Sequence, residues 1–226
     1  KRFTVTPGGS AANTAIGAAR MGLSVAFCGV FGTDKLSANL ADHLQQEWVD
    51  VFPIRHSGQG VIGATLVSGS EKTYITYKAP QFQLLDSDLA ALPSAKAVHI
   101  VGYVCNDQAV APLKRFLRQR KRKGALIFFD PAEHPIGRYP LREAVGQVDF
   151  LLTNDSVADR VHIPAKVIVV KMGSRGSSLS SNTEQCHCQS VNISSIRDPS
   201  GAGDAFDSAF IAGVLQDGQN IQALEL

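Results

Sequence analysis

The stretch Asp198-Pro-Ser-Gly-Ala-Gly-Asp-Ala-Phe206 places a turn of small residues directly before an apolar run that reads as a helix. Gly201, Ala202 and Gly203 let backbone N–H groups converge at that helix N-terminus, where unpaired donors and the helix dipole favour an anion such as phosphate. Asp204 falls in the first helical turn. A carboxylate beside an anion pocket repels the anion, so its natural use is to take a proton from a hydroxyl that attacks the phosphate. The run is thus suited to phosphoryl transfer, with Asp204 as general base and residues 201–203 as anion hole. Taken alone, it is equally an ordinary helix start with Asp as a dipole-compatible residue.

Other polar positions could join this site. Pro7-Gly8-Gly9-Ser10 forms a turn opening a helix of small residues from Ala11 to Met21, ended by Gly22. Gly8 and Gly9 let a ligand approach the main chain, and Asn13, one turn in, offers both donor and acceptor. A surface or capping role accounts for Asn13 as well. Asp130, Asn154 and the turn Lys171-Met-Gly-Ser-Arg-Gly176 each follow a strand-like run, although Asp130 before Pro131 also suits a turn and Asn154 also suits a helix cap.

The elements that would carry these residues alternate. Phe3 to Thr6 is strand-like, and Ser24 to Phe31 is a continuous apolar run of the kind buried in a parallel sheet. A helix follows from Leu36 to Gln46. Three β-rich pieces come next, Val49 to His56, Val61 to Val67 and Thr73 to Lys78, the last two joined as a hairpin through Ser68-Gly-Ser-Glu-Lys72. They read as a small inserted sheet. From Ala97 the order is strand to Val104, helix Gln108 to Lys123, then strands Ala125 to Phe129, Phe150 to Leu152 and Val167 to Val170. That alternation predicts an α/β fold with a doubly wound, mostly parallel sheet flanked by helices, its ligands gathering beyond the carboxyl ends of the strands. The predicted boundaries are 8–48 and 79–226 for the core, and 1–7 and 49–78 for a small β-sheet lid.

Composition excludes several classes. A chain of 226 residues that is 44% hydrophobic and 19% charged is neither disordered nor membrane-spanning in character. A formal charge of +2 gives no general pull toward nucleic acid or an anionic membrane, so an anion site must be local. The basic run from Lys114 to Lys123 is interleaved with Ala111, Leu113, Phe116 and Leu117, which makes it the solvated face of a covering helix. Four cysteines, two of them in apolar runs, suit buried thiols and a cytoplasmic setting. Cys186-His187-Cys188 supplies too few ligands for a metal and reads as a loop or edge strand. The absence of an initiator Met, and a helix begun at Asn220 without a cap, suggest that further residues complete the protein.

Two separated motifs, Gly8-Gly-Ser-Ala-Ala-Asn-Thr-Ala15 and Asp198-Pro-Ser-Gly-Ala-Gly-Asp204, together resemble the ribokinase, or PfkB-type, carbohydrate kinase family. Gly22, Gly32, the lid-like strands and Lys171-Met-Gly-Ser-Arg-Gly176 fall in matching order. The resemblance implies ATP as phosphoryl donor, Mg²⁺, and a sugar or nucleoside hydroxyl as acceptor. It implies substrate contacts from Gly9, Ser10 and Asn13, and catalysis by Asp204 over the 201–203 anion hole. Asn154, Lys171, Gly173, Arg175 and Gly176 would serve the nucleotide, and Asp198 a monovalent cation such as K⁺. Dimerisation through the lid is a further expectation, with neither nucleic acid nor membrane as partner.

Departures temper the match. Val157 stands where the family usually has Glu and cannot order water around Mg²⁺. The tract from Asn154 to Val167 is short, and Pro199 replaces a usual Thr. The family's first strand, with its substrate-binding Asp, and its last helices, which complete the adenine pocket, have no counterpart in the chain. A catalytically impaired, ligand-binding or regulatory relative is the alternative these departures support.

Overall fold

A computed structural model describes residues 4–68, 71–77, 83–101, 107–132, 145–196 and 198–216. A helix-flanked six-stranded sheet forms its centre. In it β5 (Ala97–Val101), β6 (Leu126–Asp130), β7 (Val148–Asn154) and β8 (Ala165–Lys171) run parallel in that spatial order. At one edge β9 (Ser177–Ser181) and β10 (Gln185–Cys188) continue antiparallel. The hydroxyl-rich Ser-Ser-Leu-Ser-Ser of β9 carries little strand signal, and pairing with β8 decides its conformation. Cys186 and Cys188 lie on the edge strand as free thiols, in keeping with the edge reading of that tripeptide.

Both faces of the sheet are covered, and the strands alternate accordingly. Ile127 and Phe129 of β6 pack with Leu113 and Leu117 of α4 (Asp107–Arg122), while Phe128 points the other way to Phe210 and Ile211 of α6 (Ala202–Gln216). This period of two, with apolar residues in both phases, is what makes the strands read as continuous hydrophobic runs. Phe128 stacks on Phe150 at 4.6 Å between ring centroids, and Phe210 meets Phe150 edge-on at 5.6 Å.

The other elements are α1 (Ser10–Arg20), β1 (Val25–Phe31), α2 (Lys35–Gln46), β2 (Val49–Arg55), β3 (Ile62–Ser68), β4 (Glu71–Tyr77), α3 (Asp86–Ala90) and the short α5 (Asp155–Ala158). Gly22 ends α1 at φ 88°, and the Leu23 N–H returns to Ala18 O at 3.1 Å, a glycine-closed helix end. Residues 4–9 adopt no regular structure, so the strand expected from Phe3 to Thr6 does not form over its described part.

The strand after α2 overturns one predicted boundary. Val49–Arg55 pairs in parallel with β1 along its whole length and buries Val49 and Ile54, so it belongs with the α/β units. The parallel β1–α2–β2 unit covers its apolar side with the helix, an advantage a lone hairpin lacks. The two strands that follow pair as the antiparallel hairpin β3–β4, with Leu66, Ile75 and Tyr77 exposed. The expected strand beyond Val101 and the helix from Asn220 lie outside the described residues.

The basic run is more structural than expected. Arg120 is buried, donates to Leu92 O at 2.7 Å and Pro93 O at 2.6 Å, and lies over the Phe116 ring. Arg115 pairs with Asp86, and Lys121 donates to Gln147 O. Among the described residues no helix is long and apolar enough to cross a membrane.

Candidate active site

The first turns of α1 and α6 meet because the two helices pack through small residues. A Cβ at Gly17 would lie 2.3 Å from Ser208 Oγ, so only glycine permits the approach. The Ser208 hydroxyl sits at a branch point, 3.0 Å from Thr14 O on the neighbouring helix and 2.7 Å from Asp204 O on its own. Thr14 in turn donates to Ser10 O at 2.9 Å, which keeps its hydroxyl within α1. The GGSAANTA tract therefore has a packing function as well as any ligand function.

That docking delivers Asn13 to Asp204. Asn13 Nδ2 donates to Asp204 Oδ2 at 2.7 Å. The Asp204 carboxyl lies above the usual carboxylate range, mainly because burial disfavours its charge; the hydrogen bonds from Asn13 and Ser10 oppose the rise. A carboxylate so placed keeps proton affinity without losing its charge-stabilising contacts.

Around Asp204 the expected anion turn takes shape in part. Gly201 adopts φ 82°, a left-handed conformation that favours glycine. Its absent Cβ would stand 3.8 Å from Asn13 Nδ2 and 3.9 Å from Asp204 Oδ2, so the turn lies against the carboxylate. Ala202 departs from the expected role, since its N–H donates to Pro199 O at 3.2 Å and closes the turn instead of facing a ligand. Gly203 and Asp204 occupy the next helical positions, whose N–H groups have no acceptor within a helix by geometry. Ser200 N donates to Asp198 Oδ1 at 2.9 Å, which makes the exposed Asp198 the residue that shapes the turn entry. Gly9 stands at the N-cap of α1 with φ 109°.

The strand ends bring in a second layer. Phe128, Leu152 and Val169 share the α6 face of the sheet, and two residues on along each strand come Asp130, Asn154 and Lys171. The Lys171 side chain is buried, with Nζ 2.8 Å from Asp130 Oδ2 and 2.9 Å from Asp207 Oδ1. Its ammonium is bracketed by the two carboxyl groups among the strand ends. Asp207 and His99 complete this buried group, with His99 Nε2 3.7 Å from Asp207 Oδ2. Sequence reasoning passed over both. The available signal was Asp207 itself, a charge one turn past Asp204 on an otherwise apolar helix.

The remaining candidates are placed as follows. Asn154 stands at the N-cap position of α5 but makes no capping bond with its side chain, and it lies beside Lys171 in the β7–β8 register. Val157 is buried among Val161, Ile163 and Leu151, so this position faces the core and not a cation. Gly173 and Gly176 have φ 58° and 84°, and a Cβ at Gly176 would lie 1.9 Å from Cys188 O, which gives that glycine a packing reason of its own. Arg175 is exposed and paired with Asp155.

A family model described as pfkB family carbohydrate kinase matches residues 1–226. The chain is 25% identical over 236 residues to the fructokinase of Solanum tuberosum, covering 95% of this chain and 73% of that protein. It is 26% identical over 260 residues to the 5-dehydro-2-deoxygluconokinase of Clostridium perfringens, covering 100% and 77%. The crystal structure of fructokinase with bound ATP from Xylella fastidiosa shares the fold at a TM-score of 0.80 and 18% identity, over 96% of this chain and 81% of that one. With its α1–α6 junction, its mixed sheet and this match along its whole length, the chain belongs to the pfkB family of carbohydrate kinases.

Proposed function

We propose that this protein transfers the γ-phosphoryl group of ATP to a sugar hydroxyl, with Asp204 as general base. The observation that carries the reading is the Asn13–Asp204 hydrogen bond at the meeting of two helix N-termini, next to a turn shaped for an anion. Asp204 takes the proton of the attacking hydroxyl as it approaches the phosphorus, and Asn13 keeps the carboxylate oriented. Gly201 gives the turn its shape, and the amides at Gly203 and Asp204 face the charge that gathers on the transferring group. Positioning and fixed dipoles supply the rate. Fructokinase and 5-dehydro-2-deoxygluconokinase among the relatives favour a sugar over a nucleoside as acceptor.

ATP suits the turn, whereas Mg²⁺ finds little held out for it by the chain. No group of three or more His, Cys, Asp or Glu that could hold a metal occurs among the described residues, and Val157 is apolar and buried. A magnesium ion carried mainly by phosphates and water, with Asn154 as a polar strand end that would face it, is compatible with that chemistry. K⁺ beside Asp198, contacts to the nucleotide from Gly173, Arg175 and Gly176, a cytoplasmic setting and a dimer through the exposed β3–β4 face complete the proposal.

The buried Val157 favours one second reading, a relative that binds ligand without efficient turnover. ATP consumption measured over a panel of sugars and nucleosides separates the two. Turnover that falls by about 10²-fold or more in Asp204→Asn supports the kinase. Sugar binding without turnover in the wild type supports the silent relative.

A further inference from the structure

Beneath the Gly201–Gly203 turn lies a buried charge group that the proton-transfer step leaves unused. It draws one residue from each of four elements: His99 from β5, Asp130 from the end of β6, Lys171 from the end of β8 and Asp207 from α6. The Lys171 ammonium is 3.6 Å from the position a Gly203 Cβ would occupy, so it touches the back of the turn. Asp130 is fixed from its other side by the Ala132 N–H at 2.7 Å. His99 Nε2 is buried with no hydrogen-bond partner, and burial holds His99 neutral with a pKa lowered to about 4.

Burying four ionisable side chains is costly unless their charges are matched, and apolar residues would hold α6 on the sheet at least as well. The arrangement makes sense if the charge is used. Asp204 lies one helical turn before Asp207, and of the two charges behind it Asp130 pushes its proton affinity up and Lys171 pulls it down. A fixed positive charge in a poorly solvated place also acts on an anion at the turn with little screening.

We propose that Asp130 and Asp207 hold the Lys171 ammonium as a fixed positive charge behind the anion turn, where it strengthens anion binding at Gly201–Gly203 and keeps Asp204 ionised. Lys171 is thus a positioning residue that touches neither nucleotide nor acceptor. Asp207, its second partner, sits with its proton affinity raised to about 8, first through burial, with Lys171 opposing the rise and Asp130 adding to it. The groups facing Asp207 are Lys171 from β8, Asp130 from β6 and His99 from β5, with Asp204 on its own helix. Burial thus favours a proton on Asp207, while at Asp130 the cost of burial is overcome by Lys171 and the hydrogen bonds, which favour its charged form. As pH rises through about 8, Asp207 loses its proton and its negative charge offsets Lys171.

The inference rests on the kinase reading only for its nucleotide, and its test has an arm that does not. In the whole chain carrying ¹³C-labelled aspartate, the Asp204 carboxyl is titrated by NMR in wild type, Lys171→Met and Lys171→Arg. The expected result is an Asp204 pKa about one unit higher in Lys171→Met and restored toward wild type by Lys171→Arg. ADP is the binding probe. Calorimetry should show affinity about tenfold weaker in Lys171→Met. If Lys171→Met does not fold, wild type and Asp207→Asn decide the matter: wild-type ADP affinity should fall about fivefold or more between pH 7 and pH 9, and Asp207→Asn should remove that fall. A folded Lys171→Met with unchanged Asp204 titration and ADP affinity, or a flat wild-type profile, overturns the inference. Wild type that binds no ADP overturns the kinase reading, and the Asp204 titration then judges the charge coupling alone.

Discussion

Asn13 Nδ2 donates to Asp204 Oδ2 across 2.7 Å although 191 residues separate them in the chain. The bond joins the first turn of α1 to the first turn of α6, so whatever holds those helices together also sets the base. It is the contact most exposed to experiment.

Removing the Asn13 amide takes away a hydrogen bond that stabilises the charged form of Asp204. The Asp204 pKa, already raised by burial, should rise further, by about half a unit to one unit in Asn13→Ala. A general base must be ionised to act, so the acid limb of the pH–rate profile for phosphoryl transfer moves to higher pH. An acid limb at the wild-type position in a folded variant would show that Asn13 does not tune the base.

At Gly203 an added Cβ meets Lys171 Nζ at 3.6 Å, ordinary contact, but a branched side chain extends beyond that point. Gly203→Val should distort the turn and raise the KM for ATP by about tenfold while the KM for the acceptor changes less. Steady-state kinetics with each substrate varied in turn checks the asymmetry. Equal changes in both would place Gly203 outside the nucleotide side of the site.

The α1–α6 contact allows no side chain at Gly17, where a Cβ would lie 2.3 Å from Ser208 Oγ and 2.8 Å from Ser208 Cβ. Gly17→Val should cost about 2 kcal/mol or more of stability through overpacking, even though glycine is itself a poor helix former. Urea denaturation reads this directly. Pairing Gly17→Ala with Ser208→Gly should recover much of the loss seen in Gly17→Ala alone, because the second change clears the space.

Buried His99 makes its own contribution to the pH dependence of stability. His99 is held neutral by burial with its pKa lowered to about 4 from an ordinary 6.5. Below 6.5 the unfolded chain takes up a proton that the folded one refuses, so stability present above that pH is lost as pH falls from about 6.5 toward about 4. Asp207, with its proton affinity raised to about 8, acts in the opposite sense over this window, so the gain in denaturation midpoint of His99→Gln over wild type should grow as pH falls from about 6.5 toward about 4. An equal slope in both proteins would assign the acid sensitivity elsewhere.

Much of the fold was legible because the strands of the parallel sheet are runs of apolar residues bounded by turns and helices, and because Gly22 and the Gly201–Gly203 turn punctuate the helices they end or begin. Val49–Arg55 misled because strand propensity does not reveal the partner, and its β-rich neighbours in sequence are not its neighbours in space. β9 was missed for the opposite reason: its serines give no pattern, and the β8 edge imposes the strand. Asp204 and the turn before it were readable from a local motif. Lys171 was located but its carboxylate partners were not, since partners across 41 and 36 residues of sequence are invisible to spacing. Asp207 looked like one more helix residue until the strand ends at Asp130 and Lys171 stood around it.

The docking of α1 on α6 also sets an order of events during synthesis. With Asp204 made 191 residues after Asn13, a ribosome adding about 5–20 residues per second takes about 10–40 s to supply the partner. Through that interval the small-residue face of α1, including Ala12, Ala15 and Gly17, can pack on β1 and β2 but has no α6 to close against. So distant a contact closes late for entropic reasons as well. A nascent or refolding chain should therefore show native-like secondary structure before it can bind an anion at the turn, and truncation just before Asp204 should leave that secondary structure without the Asp204 carboxylate.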